Sequence, residues 1–297
     1  MIHFVGAGPG AADLITVRGL RLLGQADLVV FAGSLVSPEL LRACKPGART
    51  LDSKSMTLDE ITDAMIESQR RGEECVRLQT GDVALFGALA EQTAALDAAG
   101  VAWEVVPGVS SLFAAAAALG RPYTAPGVSQ TLVVTRAAGR TPTGEAERLA
   151  RIARAGTTLA ILLSATLVDE VGAELAEAGL DPATPAAIVV RATWPDEEVW
   201  RCTVGTLAAC AREHGVRRQA IIVVGDVLER ASAPSRLYDP TFTHGFRQAT
   251  ARRDAEGSDG ADGSNGVFSD HGNHGGHGTD ETDGTETGKG PLSCASV

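Results

Sequence analysis

Along residues 1–246, short runs rich in valine and isoleucine alternate with segments of helical period. That alternation restricts the chain to an α/β construction with parallel strands, because each helix must cross back over the sheet between strands. In the first half, residues 2–8, "ADLVVFAG", "CVRLQTGD" and "VAWEVVPG" read as strands. Helices are predicted over 14–25, "MTLDEITDAMIESQRRG", "LFGALAEQTAALDAAG" and "SSLFAAAAALG", where Thr57 and Glu60 have capping-box spacing and Ser110 is a plausible N-cap. The pattern interrupts at "RPYTAPGVSQ" and restarts with "TLVVTR", "TTLAILLS", "PAAIVVRAT", "EVWRCTVG" and "QAIIVVGDV" as strands, with helices near 145–155, 167–178 and 206–214. "WPDE" is too short for a crossover helix, so the strands it joins should be antiparallel and the second sheet mixed. Two α/β domains are expected, 1–124 and 125–246.

Residues 247–297 differ in kind. From 254 onward the chain holds nine acids, one lysine and eleven glycines, too little apolar surface to offset the entropy of ordering, so a disordered acidic tail is expected. Its "DHGNHGGHG" places His271, His274 and His277 three apart, a spacing that reads either as a solvated low-complexity stretch or as a chelator of cobalt or nickel. With the tail set apart, the body has 28 acids against 25 bases, nearly all arginine, which argues against a nucleic-acid surface but not against an anionic small molecule. Neither a membrane-length apolar run nor a secretory signal is found, and five scattered cysteines suit reduced thiols; the expectation is a cytoplasmic protein.

The loop "VGAGPG" follows the first strand, and Gly6, Gly8 and Ala11 fit a permissive dinucleotide fingerprint. The second strand, however, ends Phe31-Ala32-Gly33-Ser34, without the acid that would hold a ribose, and Pro9 removes an N–H that could face a phosphate. A nicotinamide-dependent oxidoreductase thus loses its second support. Other predicted strand ends carry "TGD", "PGVSS", "LLS" and "RATW", small residues and backbone groups. No Ser-His-Asp set, metal-ligand spacing or paired catalytic carboxylates can be found, and no catalytic group can be named, which suggests a reaction driven by aligning two reactants. His3, His214 and His244 read as structural; Trp194 and Asp196 read as turn residues or as substrate contacts.

"VGAGPG", "TGD" with Phe86-Gly87 after it, "VVPGVSS" and "QAIIVVGDV", in this order, resemble the tetrapyrrole methyltransferases over residues 1 to about 246. Further stretches, among them "FAGSLVSPELL", "PGVSSLFAAAAALGR", "RATWPDE" and "YDPTFTHGFR", resemble the corrin branch of that family rather than the uroporphyrinogen branch, which typically has Asp-Arg after the second strand. The resemblance implies a bilobal α/β fold, a mostly parallel N-terminal sheet and a mixed C-terminal sheet with the active-site cleft between them. It also implies S-adenosyl-L-methionine as co-substrate, a tetrapyrrole acceptor and a homodimer. Carried over by motif, cofactor contacts fall on Pro9, Thr80, Gly81, Asp82, Leu85, Ser110, Ser111, Leu163 and Ala192. The chain departs from the family at Val83, Phe86 and Ala11, where Pro, Tyr and Asp are frequent. Because the acceptor bears carboxylates, Arg18, Arg121, Arg136, Arg140 and Arg191, near predicted strand ends and loops, are candidate anchors. An RNA methyltransferase of the same broad fold is the other alternative, and it would need a basic face.

Overall fold

The structure, a computed structural model, describes residues 1–139 and 141–250. Arg140, Cys294 and the tail histidines His271, His274 and His277 lie outside the described residues.

The first five strands are β1 (Ile2–Gly6), β2 (Leu28–Phe31), β3 (Arg49–Asp52), β4 (Cys75–Gln79) and β5 (Trp103–Val106). They form one sheet in the order β3-β2-β4-β1-β5, every pairing parallel. Both faces are covered, which is why every residue of β1 and β4 is buried. On one face Val5, Val29, Val76 and Leu78 pack with α1 (Val17–Leu23) and α2 (Pro38–Leu41). On the other, Phe4, Leu28 and Val30 pack with α3 (Leu58–Arg70) and α4 (Leu89–Ala98). The capping box at α3 is complete: Glu60 N–H donates to Thr57 Oγ1 at 3.3 Å, and Thr57 N–H donates to Glu60 Oε2 at 2.7 Å.

The second sheet contains β6 (Leu132–Arg136), β7 (Thr158–Leu162), β8 (Pro185–Val190), β9 (Glu198–Thr203) and β10 (Ala220–Val224) in the order β6-β7-β10-β8-β9. Only β6 and β7 are parallel; β10 runs against both neighbours, and β8–β9 is the expected antiparallel pair. One face carries α6 (Leu149–Ile152), α7 (Val168–Glu177) and α8 (Leu207–Glu213). The other face is covered by α5 (Ser111–Leu119), which precedes the linker but packs Leu112, Ala115 and Leu119 against Ala160, Ala187, Val189 and Val223. Arg201 pins the end of α5 by donating to Leu119 O at 2.8 Å.

Several expectations needed trimming. The helix predicted from Leu85 starts only at Leu89, because Phe86 and Ala88 adopt φ of 55° and 48° and break the helical path. That predicted over 14–25 becomes a 3-10 turn at Ala12–Leu14 followed by α1, N-capped by Thr16. The segment near 145–155 yields a 3-10 turn at Glu145–Glu147 and four residues of α6. The short strand β3 and helix α2 were not anticipated.

Candidate active site

The carboxyl ends of β1, β4 and β5 meet at one point, and three glycines let them do so. A Cβ on Gly108 would lie 2.2 Å from Gly81 O and 2.7 Å from Gly6 Cα, so the main chains touch where any side chain would force them apart. Gly8 and Gly81 then exchange backbone hydrogen bonds, at 2.8 Å (Gly81 N–H to Gly8 O) and 3.3 Å (Gly8 N–H to Gly81 O). Asp82 locks the corner: its carboxylate accepts from Gly108 N–H and from Ala84 N–H, both at 2.8 Å. Ser110 caps α5 by accepting from Leu112 N–H at 3.2 Å.

Facing this corner across a cleft is the mouth of the second sheet. The cleft encloses about 250 Å³ and takes its walls from both halves: Pro9, Leu35, Thr80 and Ser111 on one side, Leu162, Leu163, Ala192, Trp194 and Ile221 on the other. Among the described residues, three of the six non-glycine residues with left-handed backbone line it, Leu163 (φ 55°), Arg191 (49°) and Gln219 (52°), and a fourth, Thr193 (68°), stands between the lining residues Ala192 and Trp194. Strain of this kind persists only where surrounding contacts hold it, and it concentrates at functional sites.

Of the nine cofactor-binding candidates, Pro9, Thr80, Ser111, Leu163 and Ala192 line this one cleft. Gly81, Asp82, Leu85 and Ser110 do not line it: Gly81 and Ser110 are the chain neighbours of Thr80 and Ser111, Asp82 holds Gly108 N–H, and Leu85 packs beside the α5 cluster. The arginine candidates scatter. Arg191 borders the cleft, yet its guanidinium already donates to Asp196 Oδ1 and Gln219 Oε1, both at 2.6 Å. That donation holds the Asp196 carboxyl below its ordinary range. Arg136 donates to the carbonyls of Ala137, Thr141 and Pro142, which commits it to its own loop. Arg18 is exposed on α1 and Arg121 half-buried after α5, and neither lines the cleft.

The residues that sequence reasoning missed are Leu35, Arg217, Arg218, Gln219 and Ile221. A search of strand carboxyl ends passes over the four from 217 to 221, because β10 is antiparallel and brings its beginning to the mouth where β8 ends, with Ala220 paired to Val190; Leu35 does follow a strand carboxyl end, that of β2, but carries no polar group to single it out. Arg217 and Arg218 are exposed at the cleft and form no ion pair among the described residues.

The chemistry available here is holding rather than attack. The four cysteines among the described residues lie away from the cleft lining, and burial pushes the thiols of Cys75 and Cys202 up to about 12. Among the described residues no group of three or more His, Cys, Asp or Glu side chains is placed to hold a metal ion. At the end of β2, Gly33 N–H donates to Asp52 Oδ1 at 3.0 Å, but that carboxylate, from the next strand, is also paired with Lys54 Nζ at 2.9 Å. No helix among the described residues is long and apolar enough to cross a membrane.

Fold and site together define a two-lobed α/β protein with a cleft between a parallel and a mixed sheet. A family model for the tetrapyrrole (corrin/porphyrin) methylases matches residues 1–208; the chain belongs to that family and is a methyltransferase. It is similar to a cobalt-precorrin-4 C(11)-methyltransferase of Priestia megaterium, 47% identical over 251 residues that cover 83% of this chain and 97% of the relative. A precorrin-4 C(11)-methyltransferase of a Sinorhizobium species is also 47% identical, over 83% of this chain and 98% of the relative. Among solved structures, that of a cobalamin biosynthetic cobalt precorrin-4 methyltransferase superposes with a TM-score of 0.75 at 46% identity, covering 77% of this chain and 96% of the other. A uroporphyrin-III C-methyltransferase from Thermus thermophilus, in complex with S-adenosylhomocysteine, gives a TM-score of 0.66 at 29% identity over 79% and 97% of the two chains.

Proposed function

We propose that this protein methylates C11 of precorrin-4, with S-adenosyl-L-methionine as donor, to give precorrin-5 in cobalamin biosynthesis. The observation that carries the reading is the near-complete alignment with two C11-methyltransferases at 47% identity, over a chain that brings the family's motif residues to one interlobe cleft. The donor suits the lining: apolar side chains from Leu162, Leu163, Ala192 and Ile221 for a flat heterocycle, and main chain from both lobes for polar groups. Pro9, Thr80, Ser111, Leu163 and Ala192 would hold it, with Gly81, Asp82, Leu85 and Ser110 supporting it from outside the lining.

S-adenosylmethionine supplies an electrophilic methyl on a sulfonium, so the acceptor carbon needs alignment more than a catalytic side chain. A rigid cleft provides that by fixing both partners, an effect worth about 7–11 kcal/mol in favourable systems. The glycine corner leaves no room for the loop to relax, and the apolar wall keeps water from the methyl. Arg217 and Arg218 at the mouth are the arginines best placed to meet acceptor carboxylates, ahead of Arg191 and Arg136, whose forks are occupied.

The alignment favours metal-free and cobalt-bearing precorrin-4 equally. The reading retains two expectations from the sequence, a homodimer and a cytoplasmic location. The test is incubation with S-adenosylmethionine and each form of precorrin-4, locating the added methyl by NMR. A new methyl at C11 is expected; methylation at another ring position, or none with either acceptor, would overturn the assignment.

A further inference from the structure

The loop Gly8–Ala11 is held from two sides. On the side of its own lobe, Gly8 is bridged to Gly81. On the other side, the turn after β8 reaches across: Trp194 Nε1 donates to Pro9 O at 3.1 Å, and Ala11 N–H donates to Thr193 Oγ1 at 3.0 Å. The indole lies so close to Gly10 that a Cβ there would fall 2.3 Å from Trp194 Cδ1. Gly10 therefore has to be glycine for a reason the dinucleotide fingerprint does not give: a ring from the other lobe occupies the space of its side chain.

That turn is itself braced. The Arg191 guanidinium lies 4.2 Å from the centre of the Trp194 ring and is fixed by Asp196 and Gln219, while Thr193 N–H donates to Glu197 Oε2 at 2.6 Å. Gln219 Nε2 then donates to Ser34 O at 2.9 Å, a further crossing between lobes. Three of these residues, Arg191, Thr193 and Gln219, are in left-handed backbone, so the brace is built for this shape and not for the lowest local energy.

We propose that Trp194 is a positioning residue for the methyl donor: it clasps the Gly-Pro-Gly loop from the opposite lobe and fixes the Pro9–Gly10 peptide as a rigid wall of the donor site. This rests on the donor reading given above. It also accounts for Arg191, whose charge serves the tryptophan and not a substrate carboxylate.

The experiment titrates S-adenosylhomocysteine into the full-length protein and four variants by calorimetry. Trp194→Phe keeps a ring over Gly10 and under Arg191 but removes the N–H, and binding is expected to weaken roughly five- to tenfold, the span of one lost hydrogen bond. Its unliganded melting temperature should fall by no more than about 2–4 °C, the size of one lost hydrogen bond, and the KM for the donor should rise while that for the tetrapyrrole does not. Gly10→Ala should weaken binding as well, and adding it to Trp194→Ala should cost clearly less than adding it to the parent, because the two closest clashes, with indole Cδ1 and Nε1, are then gone and only the 2.9 Å approach to Thr193 Oγ1 remains. Unchanged affinity in Trp194→Phe, or additive effects in the double variant, would overturn the clasp while leaving the donor reading intact. If the parent protein itself does not bind S-adenosylhomocysteine, the donor reading falls and the clasp with it.

Discussion

Gly108 shows how much a single missing methyl group decides. Its neighbours across the gap are the backbone atoms Gly81 O and Gly6 Cα, neither of which can swing away as a long side chain would. Gly108→Ala is therefore expected to cost about 1–3 kcal/mol, as overpacking does, and to move the "TGD" corner out of line. Denaturant unfolding should show the first effect and S-adenosylhomocysteine calorimetry the second; a variant with parental stability and affinity would contradict it. The glycines were visible in the sequence as a motif, but their reason was not, since Gly6, Gly81 and Gly108 are distant in the chain and meet only once three parallel strands are in register. Trp194 is a similar case: as one residue of "RATWPDE" it reads first as a turn and packing residue and second as a substrate contact, and only the approach of the other lobe gives its N–H an acceptor.

At the scale of elements, the strands of both sheets were legible because their apolar runs are dense and their helices keep period, and "WPDE" foretold an antiparallel pair by its brevity. What escaped was polar and short. Strand β3, "RTLD", is a half-exposed edge strand and gives no periodic signal; charge pairing fastens it instead. Arg49 Nη2 lies 2.6 Å from Glu73 Oε2, and Arg71 and Ser68 at the end of α3 donate to the same carboxylate. Those donors, with Arg71 foremost, bring the Glu73 carboxyl down from its ordinary 4.5 to about 2. A carboxyl depressed in the folded state stabilises the fold above its unfolded value, and that stabilisation is lost as pH falls from about 4.5 towards 2. Glu73→Gln should accordingly lower the melting temperature at neutral pH and flatten its dependence on pH through that acid window; an unchanged slope would show that the cluster contributes nothing.

For the whole molecule, the cleft is a joint product: its lining runs from Pro9 to Ile221 and draws on both sheets. A chain ending at residue 250 should hence bind S-adenosylhomocysteine as the full-length protein does, measured by calorimetry, and a clear loss of affinity would mean that the acidic segment takes part in the site. The general location of the cleft was readable from the rule that ligands gather at strand carboxyl ends. Its far wall was not, because β10 enters the mouth by its beginning.

The placement of α5 bears on how such a protein can be taken apart. Translated ahead of the linker, the helix shelters Leu112, Ala115 and Leu119 under the sheet made afterwards. A ribosome that has released only the first half therefore presents an oily, unclaimed ridge until β7, β8 and β10 emerge, and a gene severed between the lobes would encode two sticky partners instead of two self-sufficient modules.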